Sequence, residues 1–195
     1  MRGKPLLIGL SGYPGTVTCK VRIIHRAEEP GSPDWEKLAQ IQPGECLVSG
    51  SYGPPQNQYL KKAAGIIADT GGKISHGMII AGEIHVPAIC DTEMQSMKLP
   101  GVSSPYATEA LKDGQMIVLE GYTKTTQTKK SSGVVKNEEI GTIYEWLPDN
   151  GEPPPSPSVP GQSITTAGPK VSEPMSATER AKALMAKYKS QMRRG

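Results

Sequence analysis

His76 is the residue around which chemistry can be built. It closes the loop Asp69-Thr70-Gly71-Gly72-Lys73-Ile74-Ser75-His76, and the apolar run Gly77-Met78-Ile79-Ile80-Ala81-Gly82-Glu83 follows it directly. The Gly71-Gly72 pair lets the backbone take positive φ and come close to a bound group. Ser75 and His76 then fall at the start of a helix, where unpaired N–H groups and the positive end of the helix dipole favour an anion. The same dipole end disfavours imidazolium, so the neutral, nucleophilic ring is the expected form. A phosphoryl group carried on that ring would find the helix N–H groups and the Ser75 hydroxyl as donors. The spacing therefore offers a nucleophile, His76, and an anion cradle of Thr70, Gly71, Gly72 and Ser75. Each part taken singly has a plainer reading: a helix-capping or core histidine, an N-cap serine, a glycine turn.

The other candidates for chemistry read as structural. His25 follows a strand beside Arg26 and suits a solvated surface. His85, in Glu83-Ile84-His85-Val86-Pro87, stands at a helix exit, where histidine commonly meets carbonyl groups. Cys90 suits a small buried hydrophobe. Cys19, Cys46 and Cys90 are far apart with no CxxC pairing, so neither a disulfide framework nor a zinc site is expected, and a reducing cytoplasm fits. The chain shows no clustered carboxylates, so no metal site is expected on it.

The loop needs a scaffold of short strands. Thr16-Val17-Thr18-Cys19-Lys20-Val21-Arg22-Ile23-Ile24 alternates as a half-buried strand does. Further strands are expected at 46–49, 65–68, 86–90, 116–119, 133–135 and 142–146. Short helices are expected at 34–38, capped by Ser32, and at 56–64. Residues 122–132, heavy in Thr, Lys and Ser, read as an exposed loop. The stretch 65–90 thus runs strand, diglycine loop, histidine, helix, strand.

Composition bounds the whole. Of 195 residues 22 are Gly and 18 Pro, hydrophobic residues make up 36% and Phe is missing, so part of the length is not packed core. No apolar run reaches the roughly 18 residues of a membrane span, and Leu6 to Leu10 is too short for a signal peptide. Residues 1–169 carry 15 Lys and Arg against 17 Asp and Glu, whereas 170–195 carry 7 against 2. The body is slightly acidic and the tail basic, so no nucleic-acid surface is expected on the main domain. Three parts follow: a domain over 1–147, a flexible Pro, Ser and Gly-rich linker over 148–175 with 8 prolines, and a basic amphipathic helix over 176–195. Ser176 and Glu179 fit a capping box, and Ala181, Leu184 or Met185, Tyr188 and Met192 line one face. That segment is open to three readings: a solvated, half-formed helix, a weak membrane-surface or nucleic-acid contact, and a docking peptide for a partner subunit, which the short apolar face after a flexible linker favours.

Four blocks in order resemble the mobile domain of the PEP-utilising enzymes, the family of pyruvate phosphate dikinase, phosphoenolpyruvate synthase and phenylphosphate synthase. They are Gly12-Tyr13-Pro14-Gly15-Thr16-Val17, Pro43-Gly44-Glu45-Cys46-Leu47-Val48, the signature from Thr70 to Ile89, and Leu111-Lys112-Asp113-Gly114-Gln115-Met116-Ile117-Val118. The resemblance implies an α/β fold, the swivelling β/β/α domain, with His76 carrying the phosphoryl group between two active sites. It implies a phosphotransferase component, read as a stand-alone subunit. ATP or PEP, with Mg²⁺, would sit on an ATP-grasp-type or PEP-binding partner, docked through 176–195. Three positions depart from the family pattern: Ile74 stands where Thr is usual, Gly77 for Ala and Gly82 for Arg. The Gly77 change is mild; the alternative that Ile74 and Gly82 favour is a non-catalytic swivelling-fold subunit, structural or regulatory, whose histidine is never phosphorylated.

Overall fold

In the computed structural model, residues 1–25, 30–126 and 136–148 are described. The expected helix over 176–195 and all but the first residue of the expected linker lie outside them, as does the strand expected at 133–135. The strands are β1 (Arg2–Tyr13), β2 (Gly15–Ile24), β3 (Glu45–Ser49), β4 (Gly65–Ala68), β5 (Ala88–Cys90), β6 (Met116–Thr126) and β7 (Lys136–Trp146). The helices are α1 (Pro33–Ala39), α2 (Asn57–Leu60), α3 (His76–Ile84), α4 (Thr92–Ser96) and α5 (Ala107–Ala110).

The strands close into a barrel in the order β1-β5-β4-β3-β2-β6-β7. Strands β2, β3, β4 and β5 are parallel neighbours, while β1 with β5 and β7, and β6 with β2 and β7, pair antiparallel. Parallel neighbours need crossovers, and helices supply them. That arrangement accounts for β3, β4 and β5, each buried at every position. Their unbroken apolar sequence hides an alternation that the packing reveals. Cys46, Val48, Ile67 and Ile89 join one core with Leu7, Val21, Ile117, Leu119 and Ile143. Leu47, Ile66, Ala68, Ala88 and Cys90 join a second with Leu38, Leu60, Met78 and Ile80 of the helical layer. The fold is thus mixed α/β, as expected.

The ends of the elements are set by local chemistry. Ser32 caps α1, its Oγ accepting from Trp35 N–H at 3.2 Å, with Pro33 in the first helical position. Arg22 on β2 grips Glu45 at the start of β3 through two bonds of 2.6 and 2.7 Å, and Gln42 N–H donates to the same carboxylate. The bond to Glu45 raises the Arg22 guanidinium above its ordinary value. In the Lys112–Gln115 turn, Asp113 Oδ1 accepts from Ile23 N–H at 2.8 Å and pairs with Lys37 at 3.0 Å.

Two expectations are corrected. Residues 122–126 are not loop but the second half of β6, registered against 136–140 of β7. Their threonines are strand formers, and a partner strand satisfies the backbone groups that a loop would expose. Cys19 and Cys46, expected to be free, are joined by a disulfide between β2 and β3. Barrel register brings together residues separated by 27 positions, which sequence spacing does not display.

Candidate functional site

The site grows out of the C-terminal end of β4. Asp69, the first residue past that strand, is 2% exposed, and its carboxylate gathers two neighbouring segments. Oδ1 accepts from Ala107 N–H at 2.6 Å, Thr108 N–H at 3.2 Å and the Thr92 hydroxyl at 3.2 Å, and Oδ2 accepts from the Thr108 hydroxyl at 2.5 Å. A buried carboxylate so supplied with donors is satisfied without a counter-cation. It anchors the root of the loop to α4 and α5.

From this root the chain makes the expected glycine turn. Gly71 has φ of 95°, in the left-handed region. The turn closes with Ser75 N–H donating to Gly72 O at 2.8 Å. Ser75 is the N-cap of α3 in extended backbone, but its hydroxyl makes no capping bond. Met78 N–H and Ile79 N–H both donate to Ser75 O at 3.0 Å, so the Ser75 hydroxyl and the N–H groups of His76 and Gly77 are the donors left to meet an anion. Thr70 is placed differently from its neighbours in the cradle. Its N–H and its hydroxyl both donate to Gly50 O, at 3.0 and 2.9 Å, so its proton is committed to the loop after β3.

His76 opens α3 and is half-buried, with Nε2 bonded to Asn57 Oδ1 at the start of α2. A carbonyl oxygen only accepts, so Nε2 is the donor in this contact. Behind it, Met78, Ile80 and Ala81 bury one side of α3, while Ile74 at 89% and Ile79 at 50% exposure flank the histidine. Gly77 has no room for a side chain, because a Cβ would lie 2.6 Å from Cδ2 of Tyr52. Tyr52 is itself held, its hydroxyl donating to Ile67 O at 2.9 Å. Burial raises its phenol well above the ordinary 10.0, and Asp69 adds to the effect. At Gly82, by contrast, a Cβ would meet only the Tyr13 ring edge, at 3.8 Å.

The remaining candidates separate from the site. His25 is exposed just past β2. His85 is the left-handed C-cap of α3, and its ring bonds the Tyr13 hydroxyl at 2.8 Å rather than a helix carbonyl. Cys90 is a buried free thiol, pushed up to about 11 by burial and Asp91 against the pull of Lys73. Among the described residues, no group of three or more His, Cys, Asp and Glu side chains is placed to hold a metal ion.

Two participants had no local signal. Asn57 lies 19 residues before His76, in a segment whose sequence marks it only as helical. Glu139 on β7 forms an ion pair with Lys73 of the loop. Both contacts are made by barrel closure and helix packing rather than by neighbours in the chain.

A closed α/β barrel that presents a histidine at the head of a helix, beside an uncapped serine and a glycine turn, defines a domain suited to carrying an anionic group. Residues 41–124 match the family described as the mobile domain of PEP-utilising enzymes. Over 165 residues the chain is 29% identical to a probable phosphoenolpyruvate synthase of Archaeoglobus fulgidus, covering 85% of this chain and 17% of that protein. It is 33% identical over 115 residues to an uncharacterised phosphotransferase of Bacillus subtilis, covering 59% of this chain and 11% of that one. With phosphoenolpyruvate synthase of Escherichia coli it shares 29% over 126 residues, 63% of this chain and 13% of that one. The chain spans less than a fifth of the length of these relatives.

Proposed function

We propose that this domain carries a phosphoryl group on His76, taking it from a donor site that binds ATP or PEP and passing it to an acceptor held elsewhere. The observation that supports this most is the placement of His76. Its ring heads a helix at which the His76 and Gly77 N–H groups and the Ser75 hydroxyl are unspent, within the segment that matches the mobile-domain family. In the transfer, a ring-nitrogen lone pair attacks phosphorus. A nitrogen–phosphorus bond forms as the bond from phosphorus to the leaving oxygen breaks, and that oxygen departs with the nucleotide or the enol. Attack through Nδ1 leaves the Asn57 bond in place, whereas attack through Nε2 requires Asn57 to release it. The second transfer reverses the bonding, with the acceptor oxygen as nucleophile. Mg²⁺ accompanies ATP or PEP at the donor's own site, and no step on this domain is routed through it. The donor site belongs to an ATP-grasp-type or PEP-binding partner.

The test is intact-protein mass spectrometry after incubation with source-cell lysate, Mg²⁺ and either ATP or PEP, and separately with potassium phosphoramidate. Wild type gains an adduct lost in acid and kept in alkali, and His76→Ala, shown folded by circular dichroism, gains none. A wild type that takes no adduct from any of the three donors overturns the carrier reading in favour of a non-catalytic subunit.

A further inference from the structure

We propose that Lys73 is the cation that receives the phosphoryl group on His76, and that in doing so it lets go of Glu139 and unties the loop from the β6–β7 hairpin. The inference rests on the carrier reading above.

A phosphoryl group on His76 brings close to two negative charges to the head of α3. The helix offers hydrogen-bond donors there but no cation, for α3 from His76 to Ile84 contains neither Lys nor Arg. Between Gly65 and Cys90, Lys73 is the only residue of either kind. It lies three positions before His76, in the turn closed by the Ser75 N–H bond to Gly72 O. Three residues of chain span at most about 10 Å, and here the chain is folded into a turn, so the flexible stem of Lys73 has the reach. Its charge is also felt inside the fold, where it pulls down the Cys90 thiol that burial pushes up.

The present partner of Lys73 is one carboxylate. The side chains of Lys73 and Glu139 are 42% and 31% exposed, a setting in which ion pairs are weak and exchangeable. A phosphoryl group offers greater charge and three acceptor oxygens, so it outcompetes a single carboxylate for the same ammonium. Glu139 left behind next to a new dianion is repelled. The β6–β7 hairpin, tied to the loop through this pair, then becomes the element that reports whether His76 is charged. The exchange needs no bond making beyond the phosphorylation itself, and the lysine keeps its proton throughout.

Full-length wild type, Lys73→Met, Lys73→Arg and Glu139→Gln would each be phosphorylated with potassium phosphoramidate, ammonia leaving as the nitrogen–phosphorus bond forms. Two quantities would be read at neutral pH: the lifetime of the adduct, and backbone hydrogen exchange over 136–146 with and without it. The adduct on Lys73→Met is expected to be lost about tenfold faster than on wild type, the scale of one charge-assisted hydrogen bond. Lys73→Arg restores most of the lifetime, and Glu139→Gln lives at least as long as wild type. Exchange over 136–146 rises on phosphorylation of wild type and is already raised in unphosphorylated Glu139→Gln. Equal lifetimes for Lys73→Met and wild type, or hairpin exchange indifferent to the adduct, overturn this inference alone. A wild type that takes no adduct from phosphoramidate or from the enzymatic donors removes the carrier reading and this inference with it.

Discussion

A methyl group added at position 77 would meet the Tyr52 ring, 2.6 Å from Cδ2 and 3.2 Å from Cγ. The ring is not free to yield, because its hydroxyl is bonded to Ile67 O on β4. Gly77 and Tyr52 thus go together, and the glycine that departs from the family pattern here is accounted for by its neighbour. Gly77→Ala is expected to cost about 1–3 kcal/mol, the scale of overpacking in a well-filled site. Adding Tyr52→Leu should return part of it. Thermal unfolding of the two variants checks this, and a Gly77→Ala protein as stable as wild type would refute the packing argument. At this scale the sequence was informative about His76, Ser75 and Gly71, because helix entry and positive φ depend on adjacent residues. It was silent on Asn57, whose amide reaches His76 only through the packing of α2 against α3. It also grouped Thr70 with the anion donors, whereas the fold commits that hydroxyl to Gly50 O.

Elements are tied to one another by a few carboxylates. Asp69 fastens α4 and α5 to the end of β4, and Asp113 fastens α1 and β2 to the turn before β6. Partial burial alone would raise the Asp113 carboxyl, but the Ile23 N–H and Lys37 outweigh it and hold it below its ordinary 3.8. A carboxyl lowered in the folded state stabilises fully above its unfolded value, and that contribution is lost as pH falls through the folded one. Urea denaturation midpoints of wild type should therefore fall more steeply below pH 3.8 than those of Asp113→Asn. Parallel pH profiles for the two proteins would show that Asp113 is no such brace. Element types were legible where the pattern is strong, as in the alternation of β2 and the cap of α1. The β6–β7 hairpin was not, because its polar, Thr-rich arm becomes strand only when the opposing arm pairs with it.

For the molecule as a whole, the barrel is closed by hydrogen bonds and crossed by one covalent link. The Cys19–Cys46 bond lies in the buried core and closes a loop across a separation of 27 residues. Restricting the unfolded chain by a loop of that size stabilises by about 3–4 kcal/mol on the chain-entropy account. Reduction with a phosphine should lower the unfolding temperature accordingly. Alkylation of the denatured, unreduced protein should label Cys90 alone, the free cysteine of the three. Labelling of all three without reductant would show that the bond is not formed. No helix among the described residues is long and apolar enough to cross a membrane. What the sequence determined by itself was local: the glycine turn, the histidine at a helix entry, and short strands in the order of an α/β domain. These follow from backbone sterics, capping and apolar periodicity, which act over a few neighbouring residues. The tertiary structure alone decided the closure of the barrel, the Cys19–Cys46 bond, and the arrival of Asn57 and Glu139 at the loop that bears His76. Those contacts join residues far apart in the chain, and strand register and helix packing, not local preference, determine which of them meet.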